Sequence, residues 1–308
     1  MHDLESSPSR RCFVRGLTLA GLGAAATGCR VLQLGTGPRA VRFGVIADCQ
    51  YADADTRRTR YYRESLAKLE ACVADLNREQ LDFVAHLGDL IDRDPLSFDA
   101  VLPILARSRA PVRHVLGNHD IPTGRRAWSA ERLGMPAPYY SFRVRHCRFF
   151  VLDGNEVSVF ATPAGSGARR EAEAWLERLQ SAGAPWAQAW NGGISETQLA
   201  WLRGGLRGTR EAGETAVVLC HFPVYPDNPH NLWNAGEVRE VVSNAGCVAA
   251  YLNGHNHAGL YATSDGIPFL TLPGMVETES TTAYGITTQG GPGLTVTGTG
   301  RTPDYPVA

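Results

Sequence analysis

Apolar residues fall into short unbroken runs that alternate with longer stretches carrying them every three or four positions. The first run, Val41-Arg42-Phe43-Gly44-Val45-Ile46-Ala47, reads as a buried strand closing on Asp48. Leu66, Leu69, Val73 and Leu76 then recur at helical spacing and predict a helix over roughly 60–80. Residues 83–87 predict a second strand closing on Gly88-Asp89, and residues 97–108 a second helix. Residues 112–116 predict a third strand closing on Gly117-Asn118-His119-Asp120. Strands alternating with helices imply a largely parallel sheet whose right-handed crossovers set the loops after each strand along one edge. Open α/β sheets hold their ligands at that edge.

The middle of the chain is less regular. Residues 139–144 and 149–152 predict a strand pair, and Asn191-Gly192-Gly193 a turn before a helix near 196–206. Residues 216–220 predict a strand ending at His221, and residues 248–252 one ending at Asn253-Gly254-His255-Asn256-His257. Two further strands are expected at 268–272 and 284–288. With no internal repeat, linker or low-complexity tract, residues 37–308 read as one domain.

Composition changes the picture in two places. The 308 residues are 44% hydrophobic, enough for a large core. Thirty basic residues against 31 acidic ones leave no electrostatic footprint for nucleic acid or an anionic membrane, so an anionic small molecule must be held by local groups. At the N-terminus, Arg10-Arg11 precede an uncharged stretch from Gly16 to Gly28, which reads as an export signal over residues 1–29. The paired arginines suggest the twin-arginine route. Ala26-Thr27-Gly28-Cys29 resembles a lipoprotein cleavage site that would leave Cys29 lipidated, the alternative being ordinary cleavage to a soluble product. The expected location is periplasmic or at the cell surface, with membrane contact only through that lipid. Five cysteines remain, Cys49, Cys72, Cys147, Cys220 and Cys247. They form no C-x-x-C pair and read as small core residues.

Candidate chemistry collects just past the strands: Asp48 and Gln50, Asp89, Asn118 and His119, His221, then His255 and His257. Carboxylate, amide oxygen and imidazole form a set suited to Mn²⁺, Fe or Zn²⁺. Two ions roughly 3.5–4 Å apart sharing a carboxylate clamp both oxygens of an in-line phosphoryl displacement. Gly88, Gly117 and Gly254 permit the sharp turns such loops need.

Asp48-x-Gln50, Gly88-Asp89-x-x-Asp92-Arg93, Gly117-Asn118-His119-Asp120, His221 and Gly254-His255-x-His257 together resemble the ordered motifs of calcineurin-like metallophosphoesterases. Gln50 stands where most of that superfamily has His. With Arg60-Tyr61-Tyr62-Arg63, Tyr139-Tyr140-Ser141-Phe142, Asn191-Gly192-Gly193 and Gly274-Met275-Val276-Glu277-Thr278, it resembles the manganese-dependent ADP-ribose/CDP-alcohol diphosphatase branch. The resemblance implies an α/β fold, a sandwich of two mixed sheets flanked by helices. It implies one ion on Asp48, Gln50, Asp89 and His257, and a second on Asp89, Asn118, His221 and His255. Mn²⁺ is the favoured metal, because an amide oxygen in place of imidazole shifts a site toward it. His119 would protonate the leaving oxygen, Asp92 would orient His119, and Arg93 would stabilise phosphoryl charge. The stretch between Tyr51 and Arg60 is shorter than in animal members, where it carries an aromatic facing the nucleobase.

The expected function is hydrolysis of the phosphoanhydride in nucleoside diphosphate-linked compounds. A phosphodiesterase or phosphomonoesterase acting on another ester is one alternative. A non-catalytic exported binding protein is another, disfavoured by the intact His119 and Asp92. His86 and His114 lie within strands and read as satisfied core or near-surface residues, and His146 as solvated. His230 is a lesser candidate for substrate contact. Tyr61, Tyr62 and Arg63 are expected to pack and pair along the first helix. Asn191-Gly192-Gly193 reads equally as a ligand-facing turn or a plain helix entry.

Overall fold

The computed structural model describes residues 39–122, 125–290 and 293–305. The export segment and Cys29 lie outside the described residues. Two mixed sheets pack face to face with helices on both outer sides. In the first, β1 (Val41–Ile46) pairs in parallel with β2 (Phe83–His86), and β2 with β3 (Val112–His114). On the other flank of β1, β10 (Ala283–Gly290) and then β11 (Gly293–Gly300) add antiparallel. The second sheet runs β4 (Tyr140–Val144), β5 (Cys147–Val151), β6 (Thr215–Leu219), β7 (Val248–Asn253), β9 (Ile267–Thr271) and β8 (Leu260–Ser264). Its centre is parallel and its two outer pairs are antiparallel. The expected sandwich of two mixed sheets flanked by helices is thus the fold observed, with parallel strands at the centre as the alternation of strands and helices implied. Short hairpin connections close β4–β5 and β8–β9, and such turns force antiparallel neighbours.

Strands buried on both faces produce the unbroken apolar runs. One face of β1, with Phe43 and Val45, meets Phe149 and Val217 of the second sheet. The Phe43 and Phe83 rings stack at 4.7 Å, and both meet Phe149 edge-on. Each such ring contributes roughly 1.5–3 kcal/mol by leaving water. Behind the first sheet, Leu69, Val73 and Leu76 of α1 (Ser65–Leu76) and Phe98 and Val101 of α2 (Ser97–Leu105) cover Ile46 and Val84. Behind the second, Leu199, Leu202 and Leu206 of α5 (Glu196–Glu211) and Val238 and Val242 of α6 (Ala235–Asn244) cover Val218, Tyr251 and Phe269. The sequence pattern leaves three helices unassigned: α3 (Arg126–Arg132), α4 (Gly167–Ser181) and α6. Among the described residues no helix is long and apolar enough to cross a membrane.

Three local expectations change. The first helix starts at Ser65, because the backbone of residues 57–61 is taken up elsewhere: Tyr61 N–H donates to the Val276 carbonyl at 2.9 Å, and Arg60 bridges to Arg57 and Glu277. Tyr62 is buried, and Arg63 pairs with Asp53 and Asp55, ahead of the helix and not along it. His146, expected to be solvated, sits at the tip of the β4–β5 hairpin with both ring nitrogens shielded and no partner among the described residues. Its carbonyl accepts from Thr215 N–H at 3.0 Å, which tucks the tip onto β6.

His86 and His114 face each other on adjacent strands, Nδ1 to Nδ1 at 3.2 Å, and His86 Nε2 has no hydrogen-bond partner among the described residues. Burial pushes His114 down to about 4, and burial with the neighbouring His114 pushes His86 well below the ordinary range. The unfolded chain takes protons near pH 6.5 that this pair refuses, so its contribution to stability is lost as pH falls from about 6.5 toward 4. Urea denaturation between pH 7.5 and 5 should show a smaller loss of stability in the His86→Leu/His114→Leu variant than in the parent. Parallel losses in the two proteins would rule the pair out as a source of acid sensitivity.

Candidate metal centre

Strands β1, β2, β6 and β7 and the loop after β3 deliver their terminal residues to one edge shared by both sheets. The turns there are tight. Asp48, Gln50, Asp89, Arg93 and His255 all sit at positive φ, a region side chains other than glycine rarely adopt. Such strain persists only where surrounding bonds over-determine it. The Asp120 carboxylate supplies several of those bonds. It accepts from the backbone N–H of Asp89 at 2.9 Å, Leu90 at 2.7 Å and Gly117 at 2.9 Å. Burial and the charge of Asp89 push Asp120 up to about 7, against the lowering effect of those N–H donors. A side chain at Gly117 would place its Cβ 2.1 Å from Asp89 Oδ1, so glycine is required there. The space it leaves lets His119 N–H donate to Asp89 Oδ1 at 2.8 Å.

The seven side chains expected to bind metal converge on this edge. His221 Nε2 lies 3.3 Å from Asp89 Oδ2 and 3.1 Å from Asn118 Oδ1. His255 Nδ1 lies 3.1 Å from His221 Nε2, and His257 Nε2 lies 3.4 Å from Asp48 Oδ1. Gln50 donates Nε2–H to Asp89 Oδ2 at 2.9 Å, leaving its buried Oε1 without a partner among the described residues. Asp89, His221 and His255 each offer one ligand atom within 4.8 Å of the others.

The outward nitrogen of each histidine decides which way its lone pair faces. His221 Nδ1–H donates to the Leu87 carbonyl at 2.8 Å, His257 Nδ1–H to Glu277 Oε1 at 2.8 Å, and His255 Nε2–H to Asn191 Oδ1 at 2.9 Å. Asn191 cannot be turned round, because its Nδ2 already donates to the carbonyls of Trp186 and Pro229. The inward nitrogens of His221 and His257 therefore present lone pairs to carboxylate and amide oxygens, and that of His255 presents its lone pair to His221 Nε2. Such a set is repulsive until a positive charge enters it. Titration carries the same message. Burial opposes charge on His221 and His257, yet Asp89 and Asp48 outweigh it and push both up to about 9. A hydrogen bond from His257 holds Glu277 down to about 2. Hard carboxylate and amide oxygens beside borderline imidazoles suit a divalent ion such as Mn²⁺, so the residues present fit the expected metals.

His119 and Asp92 are in hydrogen-bond contact through Nδ1 and Oδ1, and burial opposes the lowered Asp92 carboxyl less than that bond and the His119 ring favour it. Arg93 is exposed, 3.9 Å from Asp92. A cavity of about 250 Å³ opens over the cluster, walled by Arg60, Arg93, His119, Trp190 and His230 among others. His230 thus reaches the site. Trp190, 36% exposed, has its ring 5.1 Å from His230 and 5.3 Å from His255. Sequence reasoning missed Trp190, left Asn191 undecided, and saw Glu277 only as part of a resemblance. The available signal was a polar residue embedded in a tight or apolar stretch, at Asn191-Gly192-Gly193 and at Met275-Val276-Glu277.

Residues 41–259 match the family model described as calcineurin-like phosphoesterase. A Xenopus tropicalis protein named manganese-dependent ADP-ribose/CDP-alcohol diphosphatase is 32% identical over 294 residues, covering 77% of this chain and 84% of its own length. A human protein of the same name is 30% identical over 315 residues, covering 86% and 92%. Among solved structures, a dimetal phosphatase from Danio rerio superposes with a TM-score of 0.78 at 28% identity, covering 88% of this chain and 99% of that one.

The outer anchors of the histidines are a testable part of this geometry. Replacing Glu277 with Gln, or Asn191 with Ala, should each weaken Mn²⁺ binding roughly 10- to 100-fold in titration calorimetry. Affinities equal to the parent's would show that neither side chain orients its histidine.

Proposed function

This chain belongs to the calcineurin-like phosphoesterase family, and from that membership we propose that it hydrolyses the phosphoanhydride of nucleoside diphosphate-linked compounds such as ADP-ribose and CDP-alcohols. One observation carries the reading: three histidines are each anchored through the outer nitrogen, His221 and His257 turn their lone pairs onto Asp89, Asn118 and Asp48, and His255 Nδ1 meets His221 Nε2 in the same cluster. The names of the relatives that span most of the chain support the substrate class and the choice of Mn²⁺.

Asp48, Gln50, Asp89 and His257 would hold one ion, and Asp89, Asn118, His221 and His255 the other, with Asp89 shared. When bound, the ions neutralise phosphoryl charge and supply Lewis acidity for an in-line displacement. The chain's own groups do the rest. His119 borders the cavity outside the ligand set, and its Nδ1–H bond to Asp92 fixes the ring so that Nε2 delivers a proton to the leaving phosphate oxygen. Arg93, on the same wall, offers its guanidinium to the phosphoryl oxygens. Trp190 and His230, their rings 5.1 Å apart, form another part of the cavity wall and limit water there. The proposal extends to residues 1–29 as a twin-arginine export signal with Cys29 as a lipidation point, and fractionation of cells finding the chain in the cytoplasm would refute that part.

Replacing His119 with Ala should lower turnover roughly 10²–10³-fold while leaving Mn²⁺ content unchanged. Turnover at the parent's rate would remove His119 from the mechanism. With Mn²⁺ supplied, ADP-ribose and CDP-choline should be cleaved to nucleoside monophosphate in preference to a p-nitrophenyl phosphodiester. Cleavage of the diester alone would overturn the substrate class and keep the chemistry; inertness toward all three with metal bound would favour a binding protein.

A further inference from the structure

Beside the cavity over the metal ligands lies a second cavity, of about 420 Å³, walled by Arg57, Arg58, Arg60 and Glu277. Arg60 forms part of both walls. Among the described residues, the guanidinium groups of Arg57, Arg58 and Arg60 have no hydrogen-bond or ion-pair partner. Elsewhere on the molecule arginines commonly pair with carboxylates, as Arg42 does with Glu79 and Arg107 with Glu70. The acids just before the turn and the one on the cavity wall are already engaged. Arg63 takes Asp53 at 2.5 Å and Asp55 at 2.7 Å, and the Glu277 carboxylate is committed to His257. Three cations thus stand within four positions without an ion-pair contact among the described residues, in a chain whose formal net charge is only −1.

The segment that carries them is braced. Arg57 and Arg60 exchange both backbone hydrogen bonds, at 3.0 and 3.1 Å, around a turn in which Arg58 has a φ of +57°. The turn is tied to the loop bearing Glu277, through Thr278 N–H to the Thr59 carbonyl at 3.1 Å and Tyr61 N–H to the Val276 carbonyl at 2.9 Å. Fixing the backbone in advance reduces the ordering cost when an anion is bound. Guanidinium forks match phosphate oxygens in pairs, so three arginines on the walls of one cavity suit a phosphoryl group.

We propose that the Arg57–Arg58–Arg60 cavity is an anion subsite for a phosphoryl group of the substrate other than the one attacked; this rests on reading the neighbouring centre as a phosphoester-hydrolysing site. The group has two sources of the same chemistry, the second phosphate of a diphosphate or a phosphate ester on the sugar of the nucleoside. Calorimetric titration of the Mn²⁺-loaded full chain with AMP, ADP and adenosine 2′,5′-bisphosphate separates them. The parent and an Arg57→Ala/Arg58→Ala variant should bind AMP alike. ADP or the bisphosphate should bind the parent about tenfold more tightly than AMP, and the variant should lose that advantage. An advantage for ADP assigns the subsite to the diphosphate; one confined to the bisphosphate assigns it to the sugar ester. Absence of any advantage in the parent, its survival in the variant, or an equal loss for AMP would each overturn the subsite. Failure of the proposed hydrolysis would register separately, as no turnover of ADP-ribose by the parent, and leaves this comparison readable.

Discussion

The carboxylate of Asp120 ties the loop after β2 to the loop after β3, and the metal centre depends on that tie. Its two oxygens gather backbone N–H groups from Asp89, Leu90 and Gly117, so neither loop can shift without breaking a buried bond to the other. An unmade buried hydrogen bond costs about 1–3 kcal/mol, comparable to the strain of a residue held at positive φ. The bonds therefore suffice to keep Asp89 in its left-handed conformation, with the carboxylate aimed at His221 and not at solvent. The core between the sheets does not select that conformation. It supplies the stability that lets the edge remain strained.

The parts of the structure legible in the sequence were those in which one residue reports on one element. Apolar runs named the central strands, and a ligand-type residue directly after five of them named the edge. The remainder depended on partners distant in sequence. The first helix seemed to begin near Arg60 because the apolar spacing carries on through Tyr61 and Tyr62, whereas the backbone there is claimed by Val276 and Glu277. α4 buries only Ala172 and Leu176, too little to announce itself by periodicity. β11 is rich in glycine and threonine and is recognisable chiefly through its register against β10. Of the outer anchors of the three histidines, Leu87 acts through its backbone carbonyl, on which its side chain has no bearing.

The same distinction applies to the histidines themselves. His221 and His255 are as buried as His86 and His114, His257 is somewhat more open, and all five stand in or just beyond strands. What separates them is company. His86 and His114 meet each other in an apolar setting that drives them neutral, whereas His221 and His257 meet carboxylates that draw positive charge toward them. Burial alone does not distinguish a structural imidazole from a metal-binding one: neighbouring carboxylates mark His221 and His257, whereas His255 is pushed down by burial and by His221 much as His86 is, and its place beside Asp89 and His221 is what marks it.

The centre draws on chain segments that are very far apart: Asp48 accepts from the backbone of His255, 207 positions later, and His257 leans on Glu277 beyond it. No contiguous stretch carries a usable half of the ligand set, and β1 reaches the partners of Asp48 only after the second sheet has formed and docked. A chain that is still emerging, or one held open by a chaperone, offers an ion nothing better than scattered side chains. Choice of metal is thereby postponed until folding is complete, and the ion supply of whichever compartment hosts that last docking step sets which metal the protein carries afterwards.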